Sequence, residues 1–350
     1  MVSTLFALAA AVSLLAGCTQ SGVIGQDSSG GTDIVGSVIN PMKQPSASGG
    51  THKGRDGGLT GQTSLPSFDN APLPSPVAAR QIAGPYTTKS GAVTGKLFFY
   101  RSGDQNSGNY YVCSGTVIKS KNRSLVWTAG HCVHDGKGGT WHLGMVFVPA
   151  FDNSDGDPNV DPSDLSQYAP LGTFEAVHVW TSPEWVNSGD EHGGDLAHDY
   201  AVIEVGRNDQ GQTLDDAVEG AGAKPVPVWF NAPTGQDKTP AMTIRGYPAA
   251  EPFNGMAQWG CSADTVQLLN VTELGPDAKE YRAGCDLTGG ASGGGWFARG
   301  PGQSGSDVSL VTNTSVGSAH NAHGGNWLAG PYLDAKAKQL FTTAESTAAP

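Results

Sequence analysis

The chain has no cluster of basic side chains, and its overall charge is acidic. Its 350 residues include 20 Lys and Arg against 32 Asp and Glu, which gives a formal net charge of −12. A nucleic-acid-binding surface needs a basic patch, so the composition argues against a nucleic-acid partner. Cysteine is scarce, with five residues, and no apolar run reaches the length of about 20 residues that a transmembrane helix requires.

The first 18 residues have the pattern of an export signal. The apolar run from Leu5 to Ala16 has the length of a signal-peptide core and is too short to span a membrane. It ends at Cys18 in the sequence Leu-Ala-Gly-Cys, which resembles a bacterial lipobox, although no Lys or Arg precedes the run. We predict a signal peptide over residues 1–18, lipidation of Cys18, and a secreted or cell-surface protein anchored to the outer face of the cell membrane. An ordinary signal with an incidental cysteine is the alternative.

Residues 19–88 lack sustained apolar periodicity and are dominated by Ser, Gly, Pro, Thr and Gln. Such a composition cannot bury enough apolar surface to offset the entropy lost when a chain becomes ordered. We therefore predict a disordered tether or propeptide, in which only the stretch 32–39 is compatible with a transient strand.

From about residue 90, short apolar or alternating runs are separated by Gly, Asn, Asp and Pro. Many short strands with little helix between them predict an all-β barrel or sandwich. A C-terminal helix is predicted to start at Gly330-Pro331, because Leu333, Ala337, Leu340 and Phe341 recur at helical spacing. The predicted strands are 96–101, 110–118, 124–128, 145–149, 173–180, 200–205, 226–230, 242–247, 265–271, 295–298 and 308–316.

The acidic loop 152–157 is a candidate calcium ligand set. It does not fit the EF-hand pattern, because Phe151 holds the first ligand position and Pro162 the last. We interpret it as a solvated surface loop, and we predict neither a metal nor a cofactor.

Three short motifs carry candidate chemistry. His131 follows an apolar strand and precedes a cysteine, Asp199 leads into the apolar run 200–205, and Ser292 lies among the glycines of 289–294. A serine hydroxyl needs a base to take its proton, and a glycine-rich turn can aim backbone N–H groups at the oxyanion that forms on attack. The order His, Asp, Ser along the chain is that of the chymotrypsin arrangement, and differs from those of subtilisin and the α/β-hydrolases.

These motifs resemble the trypsin-like (chymotrypsin-fold) serine peptidases, especially their secreted bacterial branch, over roughly residues 90–342. The matching stretches are 113–118, 128–132, 199–203 and 290–294. The resemblance implies an all-β fold of two antiparallel six-stranded β-barrels with the active site between them. Here it predicts a peptidase domain over residues 89–345, with the barrels meeting near 215–240.

The resemblance also implies the residues' roles. Ser292 would be the nucleophile, His131 the general base, and Asp199 the group that orients the imidazole. The backbone N–H groups of Gly290 and Ser292 would form the oxyanion hole. The protein would then be a monomeric serine endopeptidase that hydrolyses protein or peptide substrates through an acyl-enzyme on Ser292.

The predicted export implies that the cysteines form disulfides, because disulfides persist in oxidising compartments. With Cys18 set aside, four cysteines remain, and they allow three pairings. Locality and the family resemblance favour Cys113–Cys132 and Cys261–Cys285. Each bond would close a loop of about twenty residues and stabilise the fold by about 3 kcal/mol.

Other histidines and acids compete for the same roles. Asp195 is an alternative to Asp199, but Asp199 directly precedes the apolar strand as the family motif requires. The remaining histidines of this region are expected at the surface or around the site; they are His134, His142, His178, His192 and His198.

Substrate preference is left open between several interpretations. Asp286 lies six residues before Ser292, where trypsins carry the acid that binds Lys or Arg, but it could equally be a turn residue. Ser315, Val316 and Gly317 resemble the edge segment that pairs with the substrate backbone. Nearby, His320 and His323 keep a glutamate-selective pocket open as an option.

Two features depart from the animal members of the family. Ala291 stands where they carry an acid before the serine, and the chain has no typical Ile-Val-Gly-Gly start. Activation through a buried pair with a freed N-terminus is therefore not expected. The alternatives to a peptidase are a catalytically silent trypsin-like domain and a surface lipoprotein with a binding or adhesive function; only a peptidase explains all three motifs.

Overall fold

The computed structural model describes most of the chain from residue 72 to residue 346. The described residues are 72–87, 91–104, 110–153, 164–189, 195–233, 239–271, 277–318 and 326–346, with two short strands before them. The predicted signal and Cys18, most of the tether, most of the acidic loop, and His192, His320 and His323 lie outside the described residues.

Short strands dominate the described part of the chain, with three α-helices. The strands are β1 (Val35–Val38), β2 (Arg55–Asp56), β3 (Arg80–Gln81), β4 (Thr94–Tyr100), β5 (Tyr111–Ile118), β6 (Leu125–Thr128), β7 (Leu143–Pro149), β8 (Phe174–Thr181), β9 (Ala201–Val205), β10 (Met242–Gly246), β11 (Trp259–Ala263), β12 (Val266–Asn270), β13 (Lys279–Gly284), β14 (Gly295–Ala298), β15 (Ser309–Asn313), β16 (Val316–Gly317) and β17 (Trp327–Pro331). The helices are α1 (Pro183–Ser188), α2 (Leu214–Gly220) and α3 (Ala335–Ser346).

The first barrel is a closed antiparallel sheet of six strands. Its strands follow the order β8-β7-β4-β5-β6-β9, and β8 also pairs with β9, which closes the barrel. Leu97, Val117, Phe147 and Val202 belong to one buried apolar cluster inside this unit. Gly95 allows this packing, because a Cβ there would lie 2.6 Å from Phe147 Cε2.

The second barrel is built from two sheets. One has the order β15-β14-β10-β11-β3 and the other β12-β13-β17-β16. Ile244, Tyr281, Trp296 and Val311 lie in the apolar cluster that fills the space between them. This architecture confirms the predicted all-β fold of two barrels, and the connection that holds α2 contains the predicted boundary region near 215–240.

The C-terminal helix is confirmed, but it begins later than predicted. Gly330 and Pro331 end β17, and α3 starts at Ala335. The Asp334 carboxylate accepts hydrogen bonds from the N–H groups of Lys336 and Ala337, which satisfies donors that the first helical turn leaves free.

One predicted strand is wrong, and five observed strands are missing from the prediction, namely β2, β3, β11, β13 and β17. The segment 226–230 makes only isolated bridges, Val226 with Ile118 and Val228 with Leu310, because Pro227 lacks the N–H that a ladder needs. The strands β11, β13 and β17 escaped prediction because Gly, Arg and Ser interrupt their apolar pattern.

Part of the segment predicted as a disordered tether lies against the second barrel. Arg80–Gln81 pairs with β11, and the N–H of Ile82 donates to Gln258 O. The carbonyl of Pro72 accepts hydrogen bonds from Gln267 and Arg282. Here the structure differs from the prediction for residues 19–88, because backbone pairing orders a stretch that its own side chains would not. Farther upstream, β1 pairs with β8 and β2 with β5.

No helix in the described ranges is both long and apolar enough to cross a membrane.

Candidate active site

The structure brings His131 and Asp199 together at the end of the first barrel. His131 lies in a short 3-10 turn after β6, and Asp199 lies two residues before β9, the strand that pairs with β6. His131 Nδ1 lies 2.7 Å from Asp199 Oδ2, and the backbone N–H of His131 donates to Asp199 Oδ1 at 2.7 Å. Both carboxylate oxygens are therefore used to set the position of one imidazole.

The second barrel supplies further donors to Asp199. Ser315 Oγ donates to Asp199 Oδ2 at 2.5 Å, and Asn313 Nδ2 donates to Asp199 O at 3.0 Å. Trp127 Nε1 donates in turn to Asn313 Oδ1 at 2.9 Å. Since Asp199 is fully buried, the bond from Ser315 compensates in part for the water that the carboxylate has lost, while Asn313 satisfies the main-chain carbonyl.

The ring of Trp185 packs against the turn that carries His131. The Trp185 ring lies 6.2 Å from the His131 ring, centroid to centroid, and Trp185 Nε1 donates to His134 O at 2.8 Å. Gly130 is required between them, because a Cβ there would lie 2.9 Å from Trp185 and 3.0 Å from Asp199 Oδ1. The imidazole therefore has little freedom to tilt.

His131 Nε2 is buried and makes no hydrogen bond to any described residue. No hydrogen bond to Ser292 Oγ is formed in this structure, and such contacts are often long in enzymes without a bound substrate. With Nδ1 committed to Asp199, Nε2 is the nitrogen that can accept a proton.

The turn that carries Ser292 connects β13 and β14 and is held against the first barrel. The Ser114 N–H donates to Ser292 O at 2.7 Å, and Ser114 Oγ donates to Gly290 O at 2.8 Å. Gly293 has a φ of +78°, and a Cβ at this position would collide with Thr128 Oγ1 and Ser114 O. A larger residue than glycine would therefore push the turn away from the strand that precedes His131.

The same turn has the geometry of an anion-binding site. Gly290 has a φ of +93°, and a Cβ there would lie 2.8 Å from Ala249 N and from Tyr247 O. Among the described residues, the N–H groups of Gly290 and Ser292 donate no hydrogen bond. Two free backbone donors beside one serine are what an oxyanion hole needs.

Both predicted disulfides are present. Cys113 and Cys132 join β5 to the histidine turn, with Cα atoms 6.2 Å apart. Cys261 and Cys285 join β11 to the chain before Ser292, with Cα atoms 5.9 Å apart. Cys113, Cys132 and His131 are near enough to share a metal ion, but the two sulfurs are bonded to each other and offer no thiolate.

The predicted substrate-binding edge takes part in two different contacts. Val316 and Gly317 form β16, the outer strand of its sheet in the described chain, so its free edge could pair with a peptide. Ser315 instead uses its N–H to bind Ala329 O and its hydroxyl to bind Asp199. Its contact with Asp199 is a function that sequence reasoning missed.

Asp286 already has a partner from its own chain. Its Oδ1 accepts a hydrogen bond from the Ala79 N–H at 2.6 Å. Ala79 belongs to the segment that runs along the second barrel, next to β3. The trypsin resemblance implied that this carboxylate binds cationic side chains of a substrate. In the structure, the carboxylate accepts a hydrogen bond from a backbone amide of the chain itself.

The competing residues lie elsewhere. Asp195 accepts from His198 Nδ1 at 2.8 Å, and His178 pairs with Glu204 at 2.7 Å. His134 and His142 are buried rather than at the surface: the His142 ring stacks on Phe99 at 4.6 Å, centroid to centroid. Aromatic packing and carboxylate partners explain why so many histidines are held in the first barrel.

A second buried acid, in β13, interacts electrostatically with Asp199. Glu280 in β13 is fully buried, and both of its carboxylate oxygens lack a hydrogen-bond partner in the described residues. Burial, together with the negative charges of Asp199 and Asp195, raises the pKa of Glu280 to about 8. The side chain is therefore largely neutral below that pH.

Comparisons with known proteins agree with this geometry. A family model described as trypsin-like peptidase domain matches residues 113–303. The thermostable serine protease AL20 from an extremophilic microorganism is 33% identical, with a TM-score of 0.55 over 73% of this chain and 98% of that chain. The protease Anisep from Arthrobacter nicotinovorans is 28% identical, with a TM-score of 0.56 over 77% and 100% of the two chains.

A third solved structure shares the fold alone. A Glu endopeptidase is 18% identical, with a TM-score of 0.51 over 79% of this chain and 100% of that chain. The comparison with curated proteins found no match.

Proposed function

Because the chain belongs to the trypsin-like peptidase family, we propose that it is a serine endopeptidase whose acyl-enzyme forms on Ser292. The observation that carries this proposal is the double contact of Asp199 with Nδ1 and the backbone N–H of His131. This contact fixes the tautomer and leaves Nε2 as the base.

The chemistry follows from the two halves of the site. Ser292 Oγ bonds to the carbonyl carbon of the peptide as its proton moves to His131 Nε2, while the Gly290 and Ser292 N–H groups bind the oxyanion. The C–N bond then breaks, and His131 gives its proton to the leaving amine. A water molecule repeats the sequence on the ester, which releases the acid and restores Ser292.

Asp199 stabilises the imidazolium that forms in each half-reaction. Ser315 holds its carboxylate and Asn313 holds its main-chain carbonyl, so the residue stays in place while the charge on His131 changes. Such preorganised groups need no rearrangement at the moment of reaction, which is why they contribute strongly to rate.

A covalent probe tests the proposal directly. The full chain would be treated with a fluorophosphonate and mapped by peptide mass spectrometry. We expect modification at Ser292, loss of labelling in Ser292→Ala, and normal labelling in Ser124→Ala, because Ser124 is equally buried but lies at the start of β6. Labelling that is absent, or equal in Ser292→Ala, would contradict the proposal and favour a binding domain.

We also propose that the protein is exported and anchored through Cys18, on the pattern of residues 1–18 alone. Mass spectrometry of the protein purified from a bacterial host should find an acylated N-terminal Cys18, and Cys18→Ser should release the protein from the membrane fraction. A mature N-terminus at another residue would contradict the anchor but leave the peptidase unaffected.

A further inference from the structure

Lys96 is a buried lysine whose position packing alone does not explain. It lies in β4 and is 3% exposed. Its Nζ donates to Gly255 O at 2.7 Å and lies 5.0 Å and 4.6 Å from the ring centroids of Phe98 and Phe151. In the described chain no carboxylate pairs with it, and burial lowers the pKa of Lys96 to about 7. An apolar residue of the same length would fill this space without the desolvation penalty.

The hydrogen bond of Lys96 holds one end of a loop from the second barrel. Gly255 has a φ of +75°, and its N–H donates to Pro248 O at 2.7 Å, which closes the loop 248–255 on itself. A Cβ on Gly255 would lie 3.1 Å from Lys96 Nζ and 3.0 Å from Ala249 Cβ. The ammonium group therefore lies directly against the loop.

The other end of this loop holds the turn before Ser292. The N–H groups of Ala249 and Ala250 both donate to Gly289 O, at 2.6 Å and 3.1 Å. Thr288 Oγ1 donates to Ala250 O at 2.7 Å. With these bonds in place, the Gly289–Gly290 peptide has no freedom to rotate, so the direction of the Gly290 N–H depends on where the loop lies.

We propose that Lys96 is a positioning residue for the oxyanion turn. Its hydrogen bond to Gly255 O fixes the loop 248–255, and the loop fixes the Gly290 N–H through Gly289 O. This role rests on the proposed function, since it assumes that the Gly290 N–H binds the oxyanion. It joins the first barrel to the oxyanion donor by a route separate from Ser114.

Lys96→Met in the full chain tests this role, because methionine keeps most of the apolar stem and removes only the donor. The substrate would be the best-cleaved peptide from a library. The inhibitor would be the aldehyde of the same peptide, which forms an oxyanion when the serine adds to it. We expect kcat to fall about 10-fold, less than the 100- to 1,000-fold typical when an oxyanion donor is removed. The aldehyde should bind about 10-fold more weakly, with KM within twofold of the parent.

Stability separates this role from a merely structural one. Since burial disfavours the charged lysine, Lys96→Met should have a Tm at pH 6 equal to or above that of the parent. The control is Lys279→Met, which removes a partly buried lysine of β13 whose Nζ lies 5.7 Å from the Tyr332 ring centroid. It should leave kcat and aldehyde binding unchanged.

Two results would overturn the positioning role. One is parent-like kcat and aldehyde affinity in Lys96→Met. The other is a lowered Tm with equal losses for aldehyde and substrate binding, which would show general disruption. A parent protein that neither reacts with a fluorophosphonate nor cleaves any peptide would overturn the proposed function itself.

Discussion

The two barrels hold their parts of the site in different ways. His131 and Asp199 lie at neighbouring strand ends of one closed sheet, with Cys132 tied to β5. Ser292 lies in a turn between β13 and β14, which belong to different sheets. The serine turn therefore takes its support from outside its own sheets, through Ser114 and the loop 248–255. The base is positioned mainly within one barrel, with added bonds from Ser315 and Asn313 to Asp199, whereas the nucleophile turn is positioned by Ser114 of the other barrel and by a loop outside its sheets.

Asp199→Asn should have the largest effect, because it breaks the locally built half. The amide cannot accept from both His131 Nδ1 and the His131 N–H, so the imidazole loses its useful tautomer. We expect kcat to fall about 10,000-fold with a small change in stability. Asp195→Asn is the matched control, since Asp195 pairs with His198 and should change kcat less than threefold. Similar losses in both variants would contradict the assignment of Asp199.

Gly293→Ala should have the next largest effect, because it breaks the contact between barrels. The new Cβ meets Thr128 Oγ1 and Ser114 O, so the serine must move by a large fraction of an ångström. We expect kcat/KM to fall by about 100-fold or more, as for other small misplacements of a reacting group.

The control for that variant places an alanine at another glycine with a positive φ, where the new Cβ meets no other atom. Gly302 has a φ of +74° and nothing within 4 Å of its Cβ position. Gly302→Ala should lower stability by about 1 kcal/mol and leave kcat/KM unchanged. If both glycine variants lose activity equally, backbone strain rather than the contact with the first barrel is responsible.

Glu280→Gln should have the smallest effect on rate and a clear effect on stability. The folded-state pKa of Glu280, about 8, lies above the ordinary 4.5, so this group favours folding below pH 4.5 and loses that contribution as the pH rises to 8. The loss is about 1.4 kcal/mol per pH unit in that window. Urea denaturation should show Glu280→Gln more stable than the parent at pH 8, with a smaller difference at pH 5.

An exposed glutamate provides the comparison for the pH experiment. Glu175 lies at the surface of β8, and Glu175→Gln should leave the pH dependence of the unfolding free energy as in the parent. Parallel curves for the parent and Glu280→Gln from pH 5 to 8 would show that the acid is not held neutral in the folded protein.

Sequence reasoning succeeded where one short segment contains all the information. The turn 128–132 joins strand, histidine and cysteine within five residues, and the glycines around Ser292 directly indicate a tight turn. Together with the family resemblance, it predicted the two barrels, both disulfides and the contact between His131 and Asp199. The roles of those residues remain predictions that the experiments above test.

What sequence reasoning missed depends on contacts between distant segments. Asn313 looks like an ordinary strand residue and Ser315 resembles a substrate-pairing residue, and only the packing of the end of β15 and the residues after it against Asp199 reveals their hydrogen bonds. Lys96 looks like a surface position on an alternating strand, yet the loop 248–255 covers it. The strand β3 forms because β11 offers a free edge, which no local pattern in residues 72–82 reveals.

The hydrogen bond between Ala79 and Asp286 has a consequence for competition between ligands. A lysine or arginine side chain of a substrate that approaches Asp286 competes at Oδ1 with a donor of this same chain, or binds Oδ2 alone. Because β3 begins at the next residue, this donor is tethered, and tethered groups act at effective concentrations in the millimolar range or higher. Dilution or washing cannot remove such a competitor. Cationic substrates therefore gain less from this carboxylate than they would from one that faces only water.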